Sequence, residues 1–281
     1  MQIISSKDNE QIKYIRKLKD KKFRDETNEY LVEGIKLVRE AIEENANIKM
    51  IVICEDCETD KTMDQALLYE IAKYNCIYVT KKLFQSMTDV VNPQGVMAVI
   101  EKEDSIDKID FTEDFILALD GIQDPGNLGT ILRTADSADL KQIILSGDCA
   151  DPYNPKVVRS TMGAIFRMNI VTTPNLLKTL QEIKRHKFEI VATSLETEKS
   201  IYDISYHKKV VVIGNEAKGV SKEIQDLADK KVKIPMLRKN RKFKCICSSG
   251  NYDLWICKRK NQPLGTFLFG WFSTIGDTPC R

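Results

Sequence analysis

Asn127 and Arg133 stand six residues apart at a junction suited to anion chemistry. A short apolar run, Phe115 to Leu119, ends in Asp120-Gly121. A loop with Pro125, Gly126 and Gly129 follows, and Thr130-Ile131-Leu132-Arg133 then opens a helical pattern. Strand, tight loop and helix N-terminus place backbone N–H groups where an anion can meet them. The Arg133 guanidinium adds a rigid fork of donors that suits a phosphate or a ribose edge. Taken alone, the same arrangement is also ordinary α/β architecture. Two further blocks echo it. Val210 to Val220 runs an apolar strand into Gly214-Asn215-Glu216 and then Gly219, and a third block begins at Lys233-Ile234-Pro235-Met236-Leu237. No GxGxxG dinucleotide loop and no P-loop is present.

The elements that must carry these blocks alternate. From Phe115 onward the apolar runs Phe115–Leu119, Gln142–Ser146, Arg167–Thr172, Glu189–Leu195, Val210–Ile213 and Lys231–Met236 read as strands between helical patterns. Residues 1–100 read as a smaller α/β unit. It holds a basic helix from Glu10 to Lys22, a short strand Tyr30 to Val32 and a helix from Gly34 to Glu44. A strand Ile48 to Cys54, a helix Met63 to Tyr74 and strands at Ile77–Val79 and Val96–Glu101 follow. Such alternation predicts a mostly parallel sheet. Glu101 to Glu113 is charged and weakly periodic, so 101–113 is the expected linker.

Three spaced blocks of this kind resemble the SpoU/TrmH family of RNA ribose methyltransferases, of the SPOUT class. The phrase Arg159-Ser160-Thr161-Met162-Gly163-Ala164-Ile165-Phe166-Arg167 is similar to that family too. So, more loosely, is Tyr30-Leu31-Val32-Glu33-Gly34. The resemblance implies a ribosomal-protein-like substrate-binding domain over 1–100. It implies a methyltransferase domain over 114–237, an open α/β sheet with a deep trefoil knot. It implies S-adenosylmethionine as cofactor, a homodimer, and ribosomal RNA as substrate. Transfer RNA is the alternative substrate, less favoured because the family's smaller transfer RNA enzymes carry only short helical extensions.

The resemblance also implies roles. Gly214, Ile234 and Leu237 match positions at the cofactor. At Gly214 a missing Cβ would let adenosine approach the backbone, or the residue is a plain turn glycine. Arg133 matches the catalytic arginine, which would bind the RNA phosphate and polarise the ribose hydroxyl. Asn127 matches the motif asparagine that orients this group or the ribose. Glu216 matches the motif glutamate. It would hold Arg133 or Asn127, or serve as a carboxylate at a helix N-terminus. Methyl transfer carries positive charge on sulfur towards developing negative charge on oxygen, so a dry, preorganised site that aligns the atoms suits it.

At 281 residues the chain has room for one large or two modest domains. Its net charge of +2 announces no global basic field. Lys13, Arg16, Lys17, Lys19, Lys21, Lys22 and Arg24 instead crowd the N-terminal part. Such a run is a solvated helix face or a phosphate-contacting one. Beside the family resemblance, Lys17, Lys21, Lys22, Arg24 and, further on, Arg159 are the expected RNA contacts. No signal peptide and no transmembrane run is evident, so the cytoplasm is the expected compartment and disulfides are not expected. Cys54 and Cys57 form a lone CxxC and the chain has two histidines, so no metal site is expected.

After Leu237 the chain changes character. Both tryptophans and four of the eight cysteines lie beyond it. The family continues with a Ser-Leu-Asn-Val-Ser block, whereas this chain has Phe243 at the spacing of that leucine. Back-translation of Arg238 to Lys258, with each codon read from the last two bases of one triplet and the first of the next, yields GKTESLNVSVAAGIMIYGYV. Trp255 permits no codon choice and forces the glycine of that series. A one-base insertion near the codons of Leu237 and Arg238, or a sequencing error of the same form, is therefore expected, with 238–281 an out-of-frame tail that packs poorly. If the inserted base is real, the knot is expected to be incomplete and the chain to be a catalytically inactive RNA-binding product, the alternative to the methyltransferase reading. If it is a sequencing error, the methyltransferase reading stands.

Overall fold

The computed structural model describes residues 3–55, 63–102, 109–205 and 207–234, together with the backbone of Tyr252–Lys258 and Phe267–Ser273. The chain divides into two units. Met1–Ile106 joins Asp151–Arg167, and Asp107–Ala150 joins Met168–Arg281.

The first unit is built on a five-stranded sheet of β1 (Ile3–Ile4), β2 (Glu29–Glu33), β3 (Ile48–Cys54), β4 (Cys76–Val79) and β5 (Val96–Glu101), in the order β1-β4-β3-β5-β2. The expected mostly parallel sheet is in fact mixed: β5 runs antiparallel to both β3 and β2. A parallel return needs a crossover that carries the chain back to the starting edge. Between β4 and β5 the five-residue helix Lys81–Gln85 and its flanking loops are long enough for such a crossover, so strand direction was not fixed by connection length, and the alternation of apolar runs does not record it. The expected basic helix is also two helices, α1 (Glu10–Lys17) and α2 (Lys21–Thr27). Asp20 breaks them, its carboxylate accepting from the backbone of Lys22 at 2.7 Å, an N-cap that starts a new helix. Helices α3 (Ile35–Glu43), α4 (Gln65–Ile71) and α5 (Lys81–Gln85) complete this part. Ile35, Leu37, Val38 and Ala41 of α3 turn one apolar face inward.

The second unit is a six-stranded sheet, parallel throughout, of β6 (Phe115–Asp120), β7 (Gln142–Ser146), β8 (Asn169–Thr173), β9 (Glu189–Thr193), β10 (Lys209–Gly214) and β11 (Lys230–Val232). Its order is β11-β9-β10-β6-β7-β8. Ile116, Ala118, Ile144, Val210 and Val212 join Leu180, Ile183 and Phe188 in its buried core. These strands read as near-continuous apolar runs because both faces of a parallel sheet are covered. Helix α6 (Pro125–Ser137) follows β6.

Helix α7 (Pro155–Thr161) belongs to the first unit, although its sequence falls within the span expected for the methyltransferase domain. Its segment is tied there by side chains. Arg24 meets Asp151 at 2.5 Å, the Tyr153 ring lies 4.8 Å from that of Tyr30, and Arg167 reaches Glu40 at 2.6 Å and Glu44 at 3.1 Å. With Arg167 held in this way, β8 begins at Asn169, later than the pattern suggested. Helices α8 (Leu176–Arg185) and α9 (Lys222–Leu227) cover the second sheet. The tail expectation falls on residues outside the described ones, save that the backbones of Tyr252–Lys258 and Phe267–Ser273 pair antiparallel.

Candidate active site

β6 and β10 are neighbours, and their register sets Asp120 beside Gly214. The loops that follow therefore leave the sheet together, at the C-terminal ends of parallel strands, where open α/β sheets take ligands. Three hydrogen bonds join the loops. Ser221 N–H donates to Asp120 Oδ2 at 2.7 Å, Asn215 Nδ2 to the Gly121 carbonyl at 2.8 Å, and Asn127 Nδ2 to Glu216 Oε1 at 2.6 Å. Of the two partners expected for Glu216, the structure selects Asn127.

Helix α6 begins as its sequence dictates. Asp124 is the N-cap, accepting from Asn127 N–H at 2.8 Å, and Pro125 takes the first helical position, where a missing N–H costs nothing. Asn127 is only 5 % exposed. Arg133 lies on the same helix but faces solvent, with no hydrogen bond or ion pair among the described residues. Six residues of α-helix rise about 9 Å and leave the two side chains about 120° apart. Asn127 and Arg133, neighbours in the motif, are thus divided between an inward structural face and an outward face open to a ligand.

Gly214 is required by the chain itself. A Cβ there would sit 2.1 Å from the carbonyl carbon of Gly219 and the nitrogen of Val220. The loop 214–220 closes on its own backbone at this point, and Gly219 N–H donates to the Asn215 carbonyl at 2.7 Å. Ile234 follows β11 and is half-buried. Leu237 and Phe243 lie outside the described residues. Cys54 is buried, and Cys57 likewise lies outside them.

The basic residues of the first unit separate into two kinds. Arg24, expected on the RNA face, is instead 1 % exposed. Its guanidinium donates to the carbonyls of Leu18 at 2.8 Å and Lys19 at 2.7 Å as well as to Asp151, so it closes the end of α1 and is not available to a phosphate. Lys17, Lys21 and Lys22 are exposed. Lys17 lies 5.6 Å over the Phe23 ring, while Lys21 and Lys22 pair with Asp25 at 2.5 Å and Glu26 at 3.9 Å one turn on. Such surface pairs are weak and exchangeable. Arg159 is half-buried, 3.8 Å from Glu33. Burial pushes the Glu33 carboxyl above the ordinary glutamate range, against the hydrogen bond from Thr88 and the charge of Arg159. The Ser160 hydroxyl bonds within its own helix, to the Lys156 carbonyl at 2.8 Å.

Sequence reading passed over Asp120, Asn215 and Ser146 as parts of the site. Asn215 carried a usable signal, an asparagine directly after a strand and a glycine, where its side chain can shape a turn. Ser146 carried none, because a serine at a strand end has no distinctive spacing.

Comparison with known proteins agrees with this architecture. Residues 114–243 match the SpoU rRNA Methylase family and residues 9–98 the MRM3-like substrate binding domain. The 23S rRNA (guanosine(2553)-2'-O)-methyltransferase RlmP of Bacillus subtilis is 30 % identical over 237 residues, 84 % of this chain and 91 % of that protein. The mitochondrial rRNA methyltransferase 3 of Homo sapiens is 31 % identical over 175 residues, 57 % of this chain and 40 % of that protein. The AdoMet-bound rRNA methyltransferase from Sinorhizobium meliloti superposes with a TM-score of 0.71 at 31 % identity, over 85 % of this chain and 91 % of that one. With both of its units matched, and a relative of this similarity aligned over most of its length, the chain belongs to the SpoU/TrmH family of rRNA methyltransferases.

Proposed function

We infer that this chain is an S-adenosylmethionine-dependent methyltransferase acting on a ribose 2'-oxygen of ribosomal RNA. The observation that carries the chemistry is the pair of joined loops at the C-terminal ends of β6 and β10, with Arg133 exposed on the helix that follows the first of them. Bound S-adenosylmethionine supplies an electrophilic methyl group on a sulfonium. Gly214 and Ile234 hold the adenosyl moiety through backbone groups, with Leu237 the third cofactor contact. Arg133 binds the RNA phosphate, polarises the hydroxyl and stabilises the forming alkoxide. Arg133 acts through its fixed positive charge and not as a base, and the hydroxyl proton leaves to water. Asn127 and Glu216 fix the start of α6 against the second loop and so set where Arg133 projects. Lys17, Lys21, Lys22 and Arg159 hold RNA phosphates, and Arg24 supports the scaffold beneath them. The enzyme works in the cytoplasm as a homodimer, without a metal.

The tail belongs to this reading. The methylase match stops at residue 243, soon after the codons where the frame is inferred to slip. Where the extra base is real, the encoded chain lacks the Ser-Leu-Asn-Val-Ser wall of the pocket and binds RNA without methylating it; where it is a sequencing error, the methyltransferase reading applies unchanged. Resequencing the locus decides whether the extra base is real. Calorimetry with S-adenosylmethionine and tritiated methyl transfer to ribosomal and transfer RNA are then run on the present and the frame-restored chains. The expected outcome is cofactor binding and transfer to ribosomal RNA by the restored chain alone. Equal performance by the present chain overturns the frame assignment. Transfer to neither RNA overturns the functional one.

A further inference from the structure

We propose that Asn215 is a positioning residue for methyl transfer: its side-chain amide latches the loop that carries Glu216 to the loop that leads into Asn127 and α6. The inference rests on the function proposed above and adds a residue to Asn127, Arg133 and Glu216, the motif positions given roles in the reaction.

Both polar atoms of this amide are engaged. Oδ1 accepts from the backbone N–H groups of Ala217 at 2.9 Å and Lys218 at 3.2 Å, which shapes the turn presenting Glu216. Nδ2 donates across to the Gly121 carbonyl at 2.8 Å. Gly121 is gripped from its other side as well, its N–H donating to Ser146 Oγ at 2.9 Å, and the Ser146 hydroxyl donates onward to Asp148 Oδ1 at 2.5 Å. Its φ of +71° is a conformation that side chains disfavour. A hydrogen-bonded belt, Asn215 to Gly121 to Ser146 to Asp148, thus spans the ends of three adjacent strands, β10, β6 and β7.

The belt holds one peptide unit in an unusual conformation at the exit of β6. The chain leaves that unit for Asp124, the cap of α6, and α6 carries Asn127 inward and Arg133 outward. The direct tie between Asn127 and Glu216 fixes the far side of the same two loops. Asn215 fixes the near side, so the two loops cannot hinge about a single bond. Nothing in the belt touches Arg133, so its action reaches the reacting groups through the backbone.

The chemistry of the latch gives a selective test. Asn215→Asp keeps the acceptor that shapes the turn but replaces the donor with a carboxylate oxygen facing the Gly121 carbonyl. Asn215→Ser keeps a turn acceptor that is too short to reach Gly121, and it serves if the aspartate variant fails to fold. Both are made in the full chain for hydrogen exchange and melting. Both are made again in the frame-restored chain for methyl transfer to ribosomal RNA. Exchange should rise at least about tenfold in segments 119–124 and 214–221, since removing the tie exposes local opening. The kcat should fall about tenfold to a hundredfold, the effect expected of one buried acceptor left unsatisfied. KM for RNA should stay within about threefold, because no group that meets RNA is altered. A kcat unchanged in a folded variant overturns the proposal. So does a loss that follows the melting temperature and disappears on cooling. A frame-restored parent that transfers no methyl group defeats the functional reading and the assignment of Asn215 to catalysis together. The exchange measurement still decides whether the latch exists.

Discussion

The arginines of the two units are used in opposite ways. In the first unit Arg24, Arg39, Arg159 and Arg167 each lie against a carboxylate, and Arg16 donates to the Ser86 hydroxyl. In the second, Arg133 stands on the outer face of α6 with no such partner among the described residues. The difference teaches how to separate scaffold from chemistry. A guanidinium removed from water must be matched by carboxylates and carbonyls, and that matching holds elements together. One left in water has its five donors available for a phosphate or an oxyanion. The basic residues of a nucleic-acid enzyme are therefore not one population.

The largest effect should come from breaking the buried member of this contrast. Arg24→Ala leaves Asp151 without its cation and two carbonyls at the end of α1 without their donor. It should destabilise the first unit by about 3–5 kcal/mol, read as a shift in the urea midpoint. A loss under about 1 kcal/mol would return Arg24 to the surface residues. The exposed member behaves differently. Arg133→Ala in the frame-restored chain should leave the midpoint unchanged and lower kcat about 10²–10³-fold, with cofactor affinity little altered. Equal turnover by this variant would remove Arg133 from the chemistry.

Replacing Lys17, Lys21 and Lys22 together by Ala should weaken RNA binding and flatten its salt dependence. The slope of log affinity against log salt should shrink by about 0.7–0.9 for each phosphate no longer neutralised. An unchanged slope, measured by filter binding across a salt series, would make α1 and α2 a solvated face. The smallest effect concerns Glu33. Burial raises its carboxyl above the ordinary value of 4.5, so the folded state prefers the neutral form. Stability from this group is complete below that ordinary value and is lost as pH rises through the raised one. Glu33→Gln should accordingly raise the melting temperature at neutral pH, and the gain should vanish near pH 4. A gain that persists in acid would assign the effect to packing.

Strand direction was more legible in the second unit than in the first. Gln142–Ser146 has the bounds its apolar run suggested, and the long apolar strands announced a parallel sheet because both faces are buried. In the first unit, alternation of strand and helix suggested the same arrangement. The direction of β5, antiparallel to both of its neighbours, is not recorded in the hydrophobic pattern. The single basic helix failed for a local reason, since Asp20 is charged like its neighbours but caps α2.

The order of residues by itself determined the motif loops. Gly214 has no room for a Cβ, Asp124-Pro125 starts a helix, and a run of valines must be a buried strand. These are local demands of sterics and capping, and they act wherever the segment lies. Only the tertiary structure decided that Glu216 belongs to Asn127, that Asn215 grips Gly121, and that Arg24 is sealed against Asp151. Those partners lie between 89 and 127 positions apart in sequence. Hydrogen bonds act over about 3 Å, so which donor meets which acceptor is chosen only when strand register and segment packing bring the distant loops together.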